Sequence, residues 1–293
     1  MNLDDQRESD NVDDVRGSSG GGGFGGMVGG RGLSLGGVVI ALILSWVLGV
    51  NPLTMLGLMQ GGGQNSAPQP APAVPGQQAA ADPGVRFVKK ILASTEDVWT
   101  AYFSQRGQQY QPPRLEVFRG QYPTGCGTGD AASGPFYCPA DRKVYIDLSF
   151  YDVLSQRLGA PGEFAQAYVV AHEVGHHIQN LMGTSAKMDQ ARGRVSQTQY
   201  NALSVRLELQ ADCYAGVWAA HARQQIHLDQ ADIDSALNAA SQIGDDTLQR
   251  KARGTVVPES FTHGTSAQRV RWFTQGMQSG DLSRCDTFGA TDL

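Results

Sequence analysis

Charge is what this sequence lacks over much of its first third. Residues 32–81 contain no Asp, Glu, Lys or Arg, and no basic residue occurs between Arg31 and Arg86. Over the whole 293-residue chain 17% of residues are charged and the formal net charge is −5, with no basic stripe interleaved with aromatics. A nucleic-acid partner is therefore not expected. Cysteine is also scarce. The four present, Cys126, Cys138, Cys213 and Cys285, have spacings unlike a zinc ribbon or a CxxC redox pair. A basic n-region is missing ahead of the apolar segment and no A-x-A-like site follows it closely, so a cleaved signal peptide fits poorly.

The uncharged stretch is not uniform. Residues 33–59 begin LSLGGVVIALILSWVLGV and continue NPLTMLGLM, enough for the ~20 apolar residues that a bilayer core requires. A buried core helix would normally carry a polar face, and this segment has none, so a single transmembrane helix is expected. Residues 1–32 are acidic and Gly-rich, with a run at Gly20 to Gly23, and are expected to be a disordered cytoplasmic tail. Residues 60–84 are rich in Pro, Ala and Gln and read as a linker. Residues 85–293 suffice for one packed domain. Arg16 and Arg31 precede the span and no basic residue follows it until Arg86. The positive-inside rule then places the N-terminus in the cytoplasm and the domain outside. An even cysteine count in such a domain suggests two disulfides. Cys126–Cys138 would close a short Gly-rich loop, worth about 3 kcal/mol in the chain-entropy model; Cys213–Cys285 would tie the C-terminal tail to a central helix.

Within the domain, residues 86–105 have helical apolar spacing, and residues 115–118 make a short strand candidate. Residues 143–150 alternate apolar and polar, which predicts a strand with one buried face. Helices are expected over residues 162–182, 196–224, 230–243 and 266–277. The domain is thus α+β, mainly helical, with a small sheet near its start.

The helix over 162–182 contains His172-Glu173-Val174-Gly175-His176, an HExxH motif. Residues i and i+4 share a helix face, so His172 and His176 can bind one ion, with Glu173 beside it to take a proton from activated water. The motif lies on a strongly amphipathic helix, which accidental matches seldom do. A catalytic zinc needs three protein ligands and an open position. Glu208, in Glu208-Leu209-Gln210-Ala211-Asp212, is the candidate third ligand, and Asp212, one turn on, can accept the other ring N–H of a zinc-bound His. His177 competes as a ligand, but adjacent helical residues point about 100° apart, which favours a structural role. His221 and His227 read as surface residues.

HEVGHHIQN followed by ELQADCYAG resembles the gluzincin metallopeptidases. More closely, GPFYCPADRKVYIDLSF, AYVVAHEVGHHIQN, ELQADCYAGVW and FTHGTSAQRVRWF, in that order, resemble the neutral zinc metallopeptidase family of bacteria. The resemblance covers nearly the whole domain and extends to the Gly-rich N-terminus and the span. It implies a zincin-like domain with its small sheet packed on the HExxH helix, one Zn²⁺ per chain, and a peptide or protein substrate. By the same likeness His263 would act on the developing oxyanion and Arg269 would anchor that region, although Gly264 stands where gluzincin patterns have Pro. An extended substrate would add to an edge strand, with Val144 to Phe150 as the candidate. The implied location is the bacterial inner membrane, with one N-terminal span and the catalytic domain on the periplasmic or extracellular side. Two other functions share these residues: a zinc-binding scaffold without peptidase activity, and a zinc amidase acting on a non-peptide amide.

Overall fold

Four of the helices start at a side-chain cap, whereas the helix that carries HExxH starts at Gly162 without one. In this computed structural model, which describes residues 1–17, 82–130 and 134–293, the Asp82 carboxylate accepts from the Gly84 amide at 2.8 Å and opens helix α1 (Pro83–Ser104). The short helix α2 (Ser149–Asp152) runs into a π-turn over Val153–Arg157. Helix α3 (Glu163–Leu181) carries the HExxH residues, and α4 (Thr184–Ala191) follows. Ser196 and Gln199 form a capping box before α5 (Gln197–Ala222), Asp229 and Asp232 before α6 (Gln230–Gln242), and Thr265 and Gln268 before α8 (Ser266–Ser279). Reciprocal caps of this kind satisfy backbone N–H groups that a helix start leaves unpaired. Helix α7 (Asp245–Arg253) lies between α6 and α8. The expected helices agree with α1, α3, α5, α6 and α8 to within three residues at each end. Helices α4 and α7 were not expected. Helix α7, DDTLQRKAR, offers almost no apolar stripe to read.

One four-stranded sheet has the order β1-β2-β6-β5, where β1 is Val12–Asp14, β2 Arg114–Phe118, β5 Phe136–Cys138 and β6 Lys143–Asp147. The first three of these are parallel, and β5 runs antiparallel to β6. The pair β3 (Gln121–Thr124) and β4 (Gly127–Asp130) forms a separate hairpin. One sheet face packs into the main core with α1 and α3. The other carries a small aromatic cluster around Phe118, Tyr145 and Phe136, joined by Cys138. The fold is therefore α+β and mainly helical, as expected. Both disulfides also form as expected, Cys126–Cys138 and Cys213–Cys285.

Three expectations need correction. The strand predicted over residues 143–150 ends at Asp147, whose carboxylate accepts from the Ser149 and Gly120 amides at 2.9 Å each and turns the chain into α2. This strand is an interior one, buried on both faces, so it cannot be the edge that Val144 to Phe150 was expected to supply; β5 is that edge. Third, residues 1–17 are not a disordered tail. Strand β1 pairs with β2 in register Val12↔Leu115. Buried Glu96 of α1 accepts from Ser9 Oγ at 2.6 Å, Asn11 Nδ2 at 2.7 Å and an Arg7 Nη at 2.8 Å. Three donors on one carboxylate offset the entropy of ordering a polar segment.

The β1–β2 pairing has a topological consequence. Residues 12–14 and 114–118 share a sheet, so both flanks of residues 18–81 lie on the same side of any membrane. An N-terminus in the cytoplasm with the domain outside is incompatible with that sheet. The expected span and most of the linker lie outside the described residues. Among the described residues no helix is long and apolar enough to cross a membrane.

Helix packing places the HExxH motif through glycine. A methyl group on Gly175, inside HExxH, would meet the Ala211 carbonyl oxygen of α5 at 2.9 Å. On Gly276 of α8 it would lie 1.9 Å from the Cys213 carbonyl oxygen. Helices α3, α5 and α8 therefore approach backbone to backbone. The Gly276→Ala variant should lose about 1–3 kcal/mol by overpacking, read from its denaturant midpoint. Replacing Glu96 with Ala should cost about 1–3 kcal/mol and open residues 1–17 to limited proteolysis, while the wild-type segment stays protected.

Candidate metal centre

His172 and His176 lie one turn apart on α3, with ring centroids 4.8 Å apart and planes nearly perpendicular. Glu208 comes across from α5, its Oε2 at 3.2 Å from His172 Nε2 and 3.5 Å from His176 Nε2. The three side chains offer one ligand atom each, all within 4.8 Å of one another, and together could hold a metal ion. The remaining ring nitrogens are both engaged. His172 Nδ1 lies 2.8 Å from Asp212 Oδ1, and His176 Nδ1 lies 2.8 Å from Gln179 Oε1. Both partners are acceptors, so each Nδ1 carries the proton and each Nε2 keeps its lone pair for a metal. The donor set fits zinc.

Asp212 is the hub of this arrangement. Fully buried, it also accepts from Tyr168 Oη at 2.5 Å and from Arg269 Nε at 2.8 Å and an Arg269 Nη at 2.9 Å. Burial alone would raise its pKa, but Arg269 and His172 bring it down to about 2. Burial likewise works against a charged His172, yet Asp212 and Glu208 push its pKa up to about 10. His176 is shifted upwards too, against burial, chiefly by Glu208. Glu208 itself is held well below the usual carboxylate range by His176 and His263, despite its burial. At both rings these neighbouring carboxylates outweigh burial, so the field in this pocket favours a cation.

The comparisons agree with this chemistry. The family model described as "Putative neutral zinc metallopeptidase" matches residues 1–288. The chain belongs to this family. It is 50% identical to "Uncharacterized protein YpfJ" of Escherichia coli strain K12 over 289 residues, 99% of each chain. It is 44% identical to "Uncharacterized protein Rv2575" of Mycobacterium tuberculosis strain H37Rv over 220 residues, 71% of this chain and 73% of the other. No solved structure matches significantly. Family membership implies zinc, and the His172, His176 and Glu208 cluster is where the described residues could hold it.

In this zinc metallopeptidase family member the cluster opens into a cavity of about 370 Å³. Glu173 lines it, and burial raises the Glu173 pKa above the ordinary carboxylate value. His263 lines it as well. Its backbone N–H, with those of Thr262 and Gly264, donates to Asp245 Oδ2 at 2.6, 2.7 and 3.0 Å. Asp245 Oδ1 lies 3.3 Å from His263 Nδ1. Gly264 stands at φ 90°, so a proline, confined to negative φ, could not replace it there. His177 points away from the cluster, between the Tyr137 hydroxyl at 3.0 Å from its Nδ1 and the Gln111 carbonyl at 2.6 Å from its Nε2. Burial pushes its pKa down to about 4, so it is a neutral structural histidine.

Tyr168, Gln179 and Asp245 were not anticipated. Tyr168 reads as one more apolar-stripe residue, Gln179 as a polar helix residue, and Asp245 as a loop acid after Gly244. Only a capping signal at Asp245, ahead of Asp246, was available to find it. The Arg269→Met variant should be destabilised by about 3–5 kcal/mol, because Asp212 is left buried without its guanidinium; denaturant unfolding in excess chelator reads this. Folding depresses the Asp212 pKa, so its contribution is complete above about pH 4 and is lost as pH falls through about 2. That acid slope should shrink in Arg269→Met.

Proposed function

We propose that this chain is a zinc-dependent metalloendopeptidase with a zincin-like catalytic domain. The observation that carries the reading is the paired orientation of His172 and His176. Each Nδ1 is tied to a buried acceptor, so both Nε2 atoms converge with the Glu208 carboxylate, and Glu173 lines the same cavity.

His172, His176 and Glu208 would hold the ion. When bound, zinc supplies Lewis acidity and water activation near neutral pH. Glu173 takes the proton of the attacking water as its oxygen bonds to the peptide carbonyl carbon. The same carboxyl returns the proton to the amine as the C–N bond breaks. Its raised pKa suits both halves of that exchange. His263 lines the same cavity. Burial opposes its protonation, but Glu208 and Asp245 shift its pKa upwards. With Nδ1 engaged by Thr262 Oγ1 at 2.9 Å and Asp245 Oδ1 at 3.3 Å, a protonated ring is left with Nε2–H to donate to the developing oxyanion. Arg269 acts at a remove, fixing Asp212 and through it His172.

The substrate is a peptide or protein in extended form. Edge strand β5 leads into the cavity, with Gly134, Phe136 and Tyr137 among its lining residues, and a free strand edge offers main-chain hydrogen bonds. Val169, Leu158, Phe150, Ile243 and Leu248 give the same cavity an apolar lining. A cavity so lined favours a substrate with a bulky apolar side chain next to the scissile bond. Two disulfides with no free cysteine among the described residues favour an oxidising, extracytoplasmic compartment.

The test is zinc content and peptide cleavage of the full chain, wild type against Glu173→Gln. The variant should keep about one zinc per chain and lose about 10²- to 10⁴-fold in turnover. A zinc-loaded Glu173→Gln as active as wild type would sink the peptidase reading. Among matched peptides, Leu or Phe next to the scissile bond should outperform Asp or Gly.

A further inference from the structure

Gln179 and Gln210 are buried amides, 0% and 7% exposed, and the proposed reaction uses neither. Their hydrogen bonds form a chain with one direction. Gln210 Nε2 donates to the Cys285 carbonyl at 3.0 Å. Gln179 Nε2 donates to Gln210 Oε1 at 3.1 Å and to the Leu207 carbonyl at 2.7 Å. Gln179 Oε1 then faces His176 Nδ1 at 2.8 Å.

An amide end is ordinarily ambiguous, because oxygen and nitrogen are interchangeable in shape. Here they are not. The Cys285 and Leu207 carbonyls can only accept, so each must face an NH₂ group. That fixes Gln210 Oε1 towards Gln179 and Gln179 Oε1 towards His176. His176 must in turn carry its proton on Nδ1, and its Nε2 is left as a lone pair facing Glu208. Two backbone carbonyls therefore set the tautomer of a ring at the far end of the chain.

The end of the chain is tethered. Cys285 is bonded to Cys213 of α5, the residue after Asp212, whose carboxylate fixes His172. The disulfide thus sits where the supports of both histidines meet. The 3₁₀ turn holding Cys285 (Leu282–Cys285) packs on α5 and α8, so the bond keeps the final acceptor within reach of Gln210.

We propose that Gln179 and Gln210 are positioning residues that lock His176 in its metal-binding tautomer, and that the Cys213–Cys285 disulfide anchors this lock. This rests on His176 being a zinc ligand. The disulfide then does more than stabilise the fold: it holds the metal site in its binding form from outside the cavity.

Zinc affinity of the full chain, measured by competition with a chromophoric chelator, tests this. Gln179→Met, close in shape but without the amide, should bind zinc about 10- to 100-fold more weakly, the usual cost of losing such a support. Gln210→Met should weaken it in the same direction. The double variant should be no weaker than Gln179→Met alone, because both act through one chain. Cys213→Ala combined with Cys285→Ala should reproduce the Gln210→Met loss. In the cobalt-substituted protein the visible d–d bands of the glutamine variants should change shape, a shift that a general loss of stability would not produce. Unfolding in excess chelator confirms that each variant is folded at the assay temperature. If the cysteine variant or Gln179→Met does not fold, Gln210→Met decides. Zinc binding within twofold of wild type in the folded glutamine variants would overturn the proposal while leaving the peptidase reading intact. A wild-type chain that binds no zinc would instead overturn both.

Discussion

Three helices meet at one carboxylate. Asp212 of α5 takes hydrogen bonds from Tyr168 and His172 of α3 and from Arg269 of α8, and it does so without any exposure to solvent. A lone buried carboxylate would be costly, and a lone buried guanidinium equally so. Placed together with a histidine and a phenol to use the remaining lone pairs, they are tolerable only in one relative placement of the three helices. The glycines let that placement exist: Gly175 and Gly276 bring α3 and α8 against the α5 backbone. Folding constraint and metal-site geometry are thus one arrangement. The residues that settle how α3, α5 and α8 cross also settle where His172 points.

The same logic runs outward from the second histidine. His176 depends on Gln179, which depends on α5 through Leu207 and Gln210. Helix α5 carries the proposed third ligand, the partner of His172, the support of His176 and one half of a disulfide within residues 207–213. A single helix in this position fixes the relative placement of all three candidate ligands. Another part of the cavity lining is set by a loop. That loop carries His263 and keeps its shape because the Asp245 carboxylate collects three consecutive backbone N–H groups.

Much of this was legible in the sequence because helical spacing is a local property. HExxH places two rings on one face regardless of tertiary context, and ELQAD does the same for Glu208 and Asp212. The disulfides followed from four cysteines and one short glycine-rich loop. Interactions between distant residues were not legible. The interior position of β6 depends on β2 and β5 pairing on either side, and the run to Phe150 gave no sign that Asp147 would cap a turn. The ordered N-terminal segment escaped notice because its composition is that of a solvated tail. What orders it, the Glu96 carboxylate, lies some eighty residues downstream on a helix that reads as merely amphipathic. Gln179 and Asp245 were missed because a neutral amide and a helix-start acid are ordinary on surfaces, and only burial beside a histidine gives them a role. The expected split of N-terminus and domain across a membrane failed for the same reason. A charge rule read along the chain has no access to a strand that returns to pair with it.

Zinc K-edge X-ray absorption of the purified full chain tests the central claim most directly, since it reports the ligands rather than activity. The account predicts a shell of nitrogen and oxygen at about 2.0–2.1 Å, with imidazole outer-shell scattering for two histidines and no sulfur. Sulfur at about 2.3 Å, scattering from fewer than two imidazoles, or a chain that holds no zinc would contradict it.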